Sequence, residues 1–419
     1  MGSVRATYSF LPAGVPHLSP ATAERRGARA RDQDSELAES AVSGITVTRH
    51  MRTIALTFAI VYGASLAVLI CLHMQPAVPW AFVLGIAAVF VPLAYVATEG
   101  LYLLRDRVEQ LGTWRKPAAL IFGSIGLAAY ALLPNTSAVI LLLLLACFVH
   151  LVILRRELIR PLAWSMLVLV FMFGAIWNLN QAVGPFTLGR LKDAEMIAAE
   201  LTLYRYIVGH PVSAEGLFPW HSPRWLFSII ETAYFLLFCE LFVVIFVHAR
   251  QRISAAGFFA TSFAAYLIGL AVFCCYPIVG PICTDPRMFA QSYQDTNTYF
   301  LTVQQAGSYA DILAQRPCRG FAYLVALPSL HVAMAMIMQR FLAQSPIHFW
   351  AFLPVNILMS LATVYLGFHY FVDIVGGLVL AEIVLAGYGT CQKRWARQAL
   401  PGPSVSEEIK KPQVELLAC

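Results

Sequence analysis

The chain is predicted to fold as an all-α, polytopic membrane bundle of about ten transmembrane helices, and three observations carry that prediction. First, 59% of its 419 residues are hydrophobic and only 12% are charged, whereas a soluble domain has about a quarter of its residues charged. The mean hydropathy is accordingly high, at +0.69. Second, the apolar residues fall in windows of about 20, the length an α-helix needs to cross about 30 Å of hydrocarbon. Third, Lys and Arg gather in short segments between alternate windows, the positive-inside pattern of membrane proteins. The formal net charge of +6 is therefore an orientation signal, and it does not point to a nucleic-acid partner.

Residues 1–50 are a different material. Pro, Ser and Ala mix with Arg25, Arg26, Arg29 and Arg31 and with Asp32, Asp34, Glu36 and Glu39, which reads as a disordered cytoplasmic tail. That segment lacks the early apolar core of a secretory signal, so the first membrane helix, from Ile54, is expected to act as an uncleaved signal anchor. The windows then fall at 54–74, 79–104, 117–134, 136–154, 162–180, 225–249, 255–277, 322–343, 348–368 and 370–390. A tight turn at Leu133 to Ser137 separates the third from the fourth, and Asn135-Thr136-Ser137 within it matches a glycosylation sequon that abuts the membrane.

The basic clusters are Arg49 and Arg52; Arg105, Arg107, Arg115 and Lys116; Arg155, Arg156 and Arg160; Arg250 and Arg252; and Lys393, Arg394 and Arg397. All fall on one side if both termini are cytoplasmic. The extracytoplasmic side, periplasmic or lumenal, then carries two long segments, 181–224 and 278–321, and long loops are where function concentrates. In the first, Leu191, Ala194, Ile197, Ala198, Leu201, Tyr204 and Val208 form a helical stripe, with Lys192, Asp193, Glu195, Glu200 and Arg205 mostly off it. This predicts an interfacial amphipathic helix that packs on the bundle, with a lid as the rarer role. Glu231 and Glu240 sit inside a predicted span and are expected to face the bundle interior. Of nine cysteines most lie in apolar spans; Cys283 and Cys318 share the second long loop, where a disulfide between them is one option.

Two histidines stand out against this apolar background. Helix 322–343 carries His331 in its outer half, and helix 348–368 delivers His369 at its outer end, with Asp373 four residues on. An aspartate at i+4 shares a helical face with the histidine, where it fixes the imidazole tautomer and favours the cation. A single histidine at a helix end is ordinarily an interfacial polar tip, but a matched pair with that aspartate argues for chemistry: His369 as nucleophile and His331 as proton donor. A metal site is the alternative, since two His and one Asp are a possible ligand set that His210 or His221 would complete.

The residues around this pair carry a resemblance. Pro328-Ser329-Leu330-His331 resembles the Pro-Ser-(Gly/Leu)-His motif of the type 2 phosphatidic acid phosphatase superfamily, and His369-Tyr370-Phe371-Val372-Asp373 its final His-x-x-x-Asp motif. The longer string from Thr363 to Gly377, together with Tyr276-Pro277, is similar to the branch containing inositol phosphorylceramide synthase, an enzyme of sphingolipid metabolism. The similarity covers roughly 225 to 390. It implies transfer of a phosphorus-containing group between lipids without metal or cofactor, through a phosphohistidine: His369 attacks phosphorus, Asp373 orients and charges it, and His331 protonates the leaving oxygen.

The departures are equally specific. The superfamily's soluble-product phosphatases hold phosphate with a Lys-x6-Arg-Pro motif and an Arg six residues before the last histidine. Here Tyr309 stands where the Lys would precede Arg316-Pro317, and Thr363 stands six before His369. Other donors must then clamp the phosphoryl oxygens; Arg316, Arg319 and Ser329 are the first candidates, with Arg287, Arg190 and Lys192 behind them. On this reading residues 51–180 are membrane helices without an assigned role, 181–395 form a catalytic membrane domain and 396–419 a cytoplasmic tail. The partners expected are lipid substrates within the bilayer. Lipid phosphate or polyprenyl diphosphate hydrolysis is the alternative reaction. A non-enzymatic carrier, its histidines gating protons, is the alternative class and would call for a broken helix and paired acids near the midplane.

Overall fold

The computed structural model describes residues 51–71, 80–108, 156–209, 223–284, 296–314 and 325–399, all within the unit His50–Cys419. Their helices are α1 (Met51–Cys71), α2 (Trp80–Val108), α3 (Arg156–Thr187), α4 (Asp193–Val208), α5 (Arg224–Arg250), α6 (Ala256–Cys275), α7 (Pro281–Thr284), α8 (Asn297–Leu313), α9 (Leu330–Leu342), α10 (Pro346–Tyr365) and α11 (Phe371–Ala399). No strand occurs among the described residues. Among the described residues six helices, α1, α3, α5, α6, α10 and α11, contain stretches long and apolar enough to cross a membrane, which makes the chain an integral membrane protein. The predicted windows 117–134 and 136–154 lie outside the described residues.

One predicted span is corrected. The window 322–343 is expected to be helical throughout, but α9 begins only at Leu330 and runs 13 residues, with 325–329 non-helical and bent at 327–328 before it. The cause is local: Pro328 has no N–H to donate and disfavours helix in the residue before it. Ser329 then caps α9, its side chain accepting from Val332 N at 3.4 Å.

Helix α5 is the axis of the bundle. Every residue from Cys239 to His248 is buried, as expected of a helix that is apolar all round, and α2, α3, α9 and α10 pack around it. The outer helices show the opposite signature. On α11, Val375, Val379 and Ile383 recur every four residues and are exposed, as are Ile357 and Leu361 on α10; with hydrocarbon as the solvent, an apolar outward face costs nothing.

The two ends of the bundle differ in chemistry. At one, Arg250 pairs with Glu99 and lies 4.3 Å over the Tyr102 ring, while Phe341 packs on His248, Phe258 and Tyr388. At the other, the segments 278–282, 326–329 and 367–373 are sewn together by backbone hydrogen bonds. Ala326 N donates to Ile278 O (2.8 Å), Ile282 N to Gly367 O (3.0 Å) and Ser329 N to Asp373 O (3.0 Å). Two glycines allow this closeness. A Cβ on Gly280, whose φ is +87°, would sit 2.4 Å from Phe368 O, and one on Gly377 would sit 2.4 Å from Ser329 O.

Candidate active site

His369 is placed by the way α10 ends. Gly367 adopts φ 76° just past the helix, the left-handed conformation that glycine takes at helix C-termini. Phe368 N and His369 N both then donate back to Thr363 O, at 3.0 and 3.1 Å. His331 is placed by the start of α9, two residues after its Ser329 cap. The two rings meet with centroids 5.4 Å apart and planes at 71°, and His331 Nδ1 lies 3.1 Å from His369 Nε2.

The surrounding partners order the protons. His369 Nδ1 is 2.9 Å from Ala326 O, and a carbonyl only accepts, so Nδ1 carries the hydrogen and Nε2 presents its lone pair. His331 Nδ1 must then donate to His369 Nε2. That leaves His331 Nε2 to accept from the Tyr234 hydroxyl, 2.8 Å away. Tyr234 is itself held by stacking on Phe368, with centroids at 5.0 Å and planes at 15°. His369 and Asp373 are 3% and 0% exposed, and His331 is the member of the trio that reaches open space.

Asp373 sits where the i+4 spacing predicts, but its first contact is different. Oδ2 lies 3.5 Å from His369 Nδ1, beyond a normal hydrogen bond, and accepts instead from Tyr370 N at 2.8 Å. It is the third residue of α11 reaching back to the residue before the helix, half of a capping box. Its carboxylate therefore fixes the turn that carries His369 while holding negative charge close to the ring.

Sequence reasoning missed Asp193 and Glu200. The predicted amphipathic helix exists as α4, but its buried face is Asp193, Met196 and Glu200, while Ala194 and Ala198 are exposed. The stripe is offset by one residue because both acids find donors. Asp193 accepts from Gly280 N (2.9 Å), Val279 N (3.2 Å) and the Tyr370 hydroxyl (3.2 Å). Glu200 accepts from Val372 N at the start of α11 (2.8 Å). A buried acid so satisfied is tolerated, and Glu200 also meets the positive end of a helix dipole. Burial pushes the Asp193 carboxyl up to about 6, against the pull of those three donors, and raises Glu200 as well. The seven-residue spacing of the two acids was the signal available, since it puts them on one helical face.

Other predicted residues are dispersed. Ser329 is fully buried, its oxygen engaged at the α9 cap. Arg316, Arg319 and Arg287, with His210, His221 and Cys318, lie outside the described residues, and Cys283 is a buried free thiol. Arg190 donates to Phe186 O at 2.8 Å, and Lys192 pairs with Glu195. Thr363, standing where the resemblance led one to look for an arginine, is fully buried and donates to Ser360 O. Glu231 faces inward, as expected, and accepts from Thr298 N and Oγ1 at the start of α8 (2.6 and 2.7 Å). Glu240, also buried, accepts from Asn356 (2.9 Å). No group of three or more His, Cys, Asp or Glu among the described residues is placed to hold a metal ion.

No curated protein and no solved structure matches the chain. Residues 219–387, which begin before α5, end within α11 and contain both histidines, match the family model of the PAP2 superfamily.

Proposed function

We propose that the chain is a lipid phosphotransferase that moves a phosphorus-containing head group through a phosphohistidine on His369. The observation that supports this best is the 3.1 Å approach of His331 Nδ1 to His369 Nε2, combined with the Ala326 carbonyl that turns the Nε2 lone pair toward His331. One ring offers a lone pair, the facing ring offers a proton, and a phosphoryl group entering between them meets both.

In the first half-reaction His369 Nε2 forms a bond to phosphorus and the bond from phosphorus to the leaving oxygen breaks. That oxygen takes the proton from His331 Nδ1; His331 enters the step as an imidazolium, its Nε2–H donated to the Tyr234 hydroxyl, and leaves it as the neutral Nε2–H tautomer. The imidazole of His369 becomes cationic, and Asp373 and the Ala326 carbonyl stabilise its Nδ1–H. In the second half the acceptor hydroxyl attacks phosphorus, returns its proton to His331 Nδ1, and the bond to His369 breaks. Tyr234 accepts from Nε2–H of His331 before and after that transfer, its hydroxyl having turned from donor to acceptor when the imidazolium forms. The rings must part to admit substrate, because in-line transfer with acid and nucleophile on opposite sides requires roughly 6 Å between them.

Arg316, Arg319 and Ser329 are the proposed phosphate donors, supplemented by the N-termini of α9 and α11, whose dipoles favour an anion there. The site is assigned to the extracytoplasmic face because it lies at the end of the bundle opposite Arg250. Transfer to an alcohol, as in the inositol phosphorylceramide synthase-like branch, is preferred over hydrolysis because a phosphodiester carries less charge than a monoester and suits a site lacking two expected cations. The test is to assay head-group turnover in lipid extracts of cells carrying wild-type protein or His369→Ala. Loss of turnover supports the reading, free phosphate as sole product moves it to a phosphatase, and unchanged turnover leaves the carrier.

A further inference from the structure

We propose that the cavity beside His331 is a hydrocarbon-chain pocket, and that α3, a helix outside the matched stretch, sets the chain length the site accepts. The inference rests on the lipid-transfer reading above. The cavity, about 110 Å³, is bounded by His331, by Met334 and Met338 of α9, and by Phe173, Ile176 and Trp177 of α3, with α5 and α6 completing the wall.

Its composition selects the occupant. Apart from the His331 ring, the Tyr266 hydroxyl and the indole N–H of Trp177, every lining group is apolar, and so apolar a cavity takes apolar guests. Its position gives direction. His331, Met334 and Met338 follow one face of α9, so a chain lying on that face runs from the reacting nitrogen toward the middle of the bundle, roughly 10 Å at 1.5 Å per residue. Thioether and aromatic walls adapt to a flexible guest. The α3 wall is held in place by the edge-on contact of Phe173 with Tyr266, with centroids 6.4 Å apart. Three of the six named side chains thus come from a helix that precedes residue 219, where the family match starts. The N-terminal helices thereby gain a role in choosing substrate.

The full-length protein in lipid nanodiscs, supplied with phosphatidylinositols of stepped acyl length as phosphodiester donors, tests this. For wild type, kcat/KM is expected to rise with each added methylene until the pocket is full and to fall beyond that length; the chain comes from hydrocarbon and not from water, so the gain is set by packing contacts with the pocket walls. Ile176→Trp, which fills the cavity, should flatten that rise, and Ile176→Leu should keep it. A phosphatidylinositol bearing a diazirine at the chain end should label the peptides containing Phe173 to Trp177 and Met334 to Met338, in wild type and in His369→Ala alike. Labelling confined to the lipid-facing side chains Ile357, Leu361 and Val379, or an unaltered chain-length profile in Ile176→Trp, overturns the proposal. If no head group is released but the label lands on α3, the pocket stands and the transfer reading fails. If head group is released and the label stays lipid-facing, the reverse holds.

Discussion

Replacing Asp193 with Ala withdraws one carboxylate from three donors at once. The backbone N–H groups of Val279 and Gly280 and the Tyr370 hydroxyl all lose their acceptor, at a site where Asp193 is 4% exposed. A buried donor left unpaired costs about 1–3 kcal/mol. With partial relaxation the three together should cost about 3–5 kcal/mol, and Asp193→Asn less, because its amide oxygen still accepts. The pH dependence has a definite sign. Burial raises the folded carboxyl to about 6 from the ordinary aspartate value of 3.8, so between these values the folded chain holds more protons than the unfolded one. The stability this group contributes is therefore full at low pH and is lost as pH rises through about 6. Thermal unfolding of the purified full-length protein in detergent, followed by tryptophan fluorescence from about pH 4 to about pH 8, measures both quantities. The wild-type-minus-Asn difference should fall across that window. A loss below about 0.5 kcal/mol in Asp193→Ala, with the same pH slope in wild type and Asp193→Asn, would refute the reasoning.

Two further substitutions probe how the histidine turn is held. Gly280→Ala forces a Cβ to 2.4 Å from Phe368 O at a φ of +87°, which costs about 1–2 kcal/mol in backbone conformation alone and displaces the residue before His369. Turnover should fall about 100-fold, and wild-type kcat in this variant would contradict the placement. Thr363→Arg restores the arginine that the family resemblance leads one to expect, but at a fully buried position whose carbonyl holds the turn. Desolvating that charge costs several kcal/mol, so size-exclusion profiles should show misfolded protein; a monodisperse variant with higher activity would contradict it.

The histidine pair was legible because its determinants are local: Ser329 caps α9, Gly367 ends α10, and each fixes a histidine within two residues of itself. The central helices were legible for the same reason, as hydropathy alone marks α5 and α6. What escaped were consequences of partners distant in the chain. Asp193 and Glu200 read as solvent-facing because an acid's burial depends on donors at Val279, Gly280, Tyr370 and Val372, none of which a stripe within 191–208 can reveal. The late start of α9 was within reach, since Pro328 lies inside the apolar window, but hydropathy outweighed it. The cavity on α3 belongs to four helices together and has no signature in any one of them.

Phosphorus NMR of the full-length protein quenched in base during turnover tests the central claim most directly, because the two ring nitrogens of histidine give distinct phosphoramidates. With Ala326 O holding the Nδ1 hydrogen, phosphorus should appear on Nε2 of His369, be released by acid and vanish in His369→Ala. Phosphorus on Nδ1 or on a carboxylate, or steady turnover with no phosphoramidate at any stage, would contradict the account.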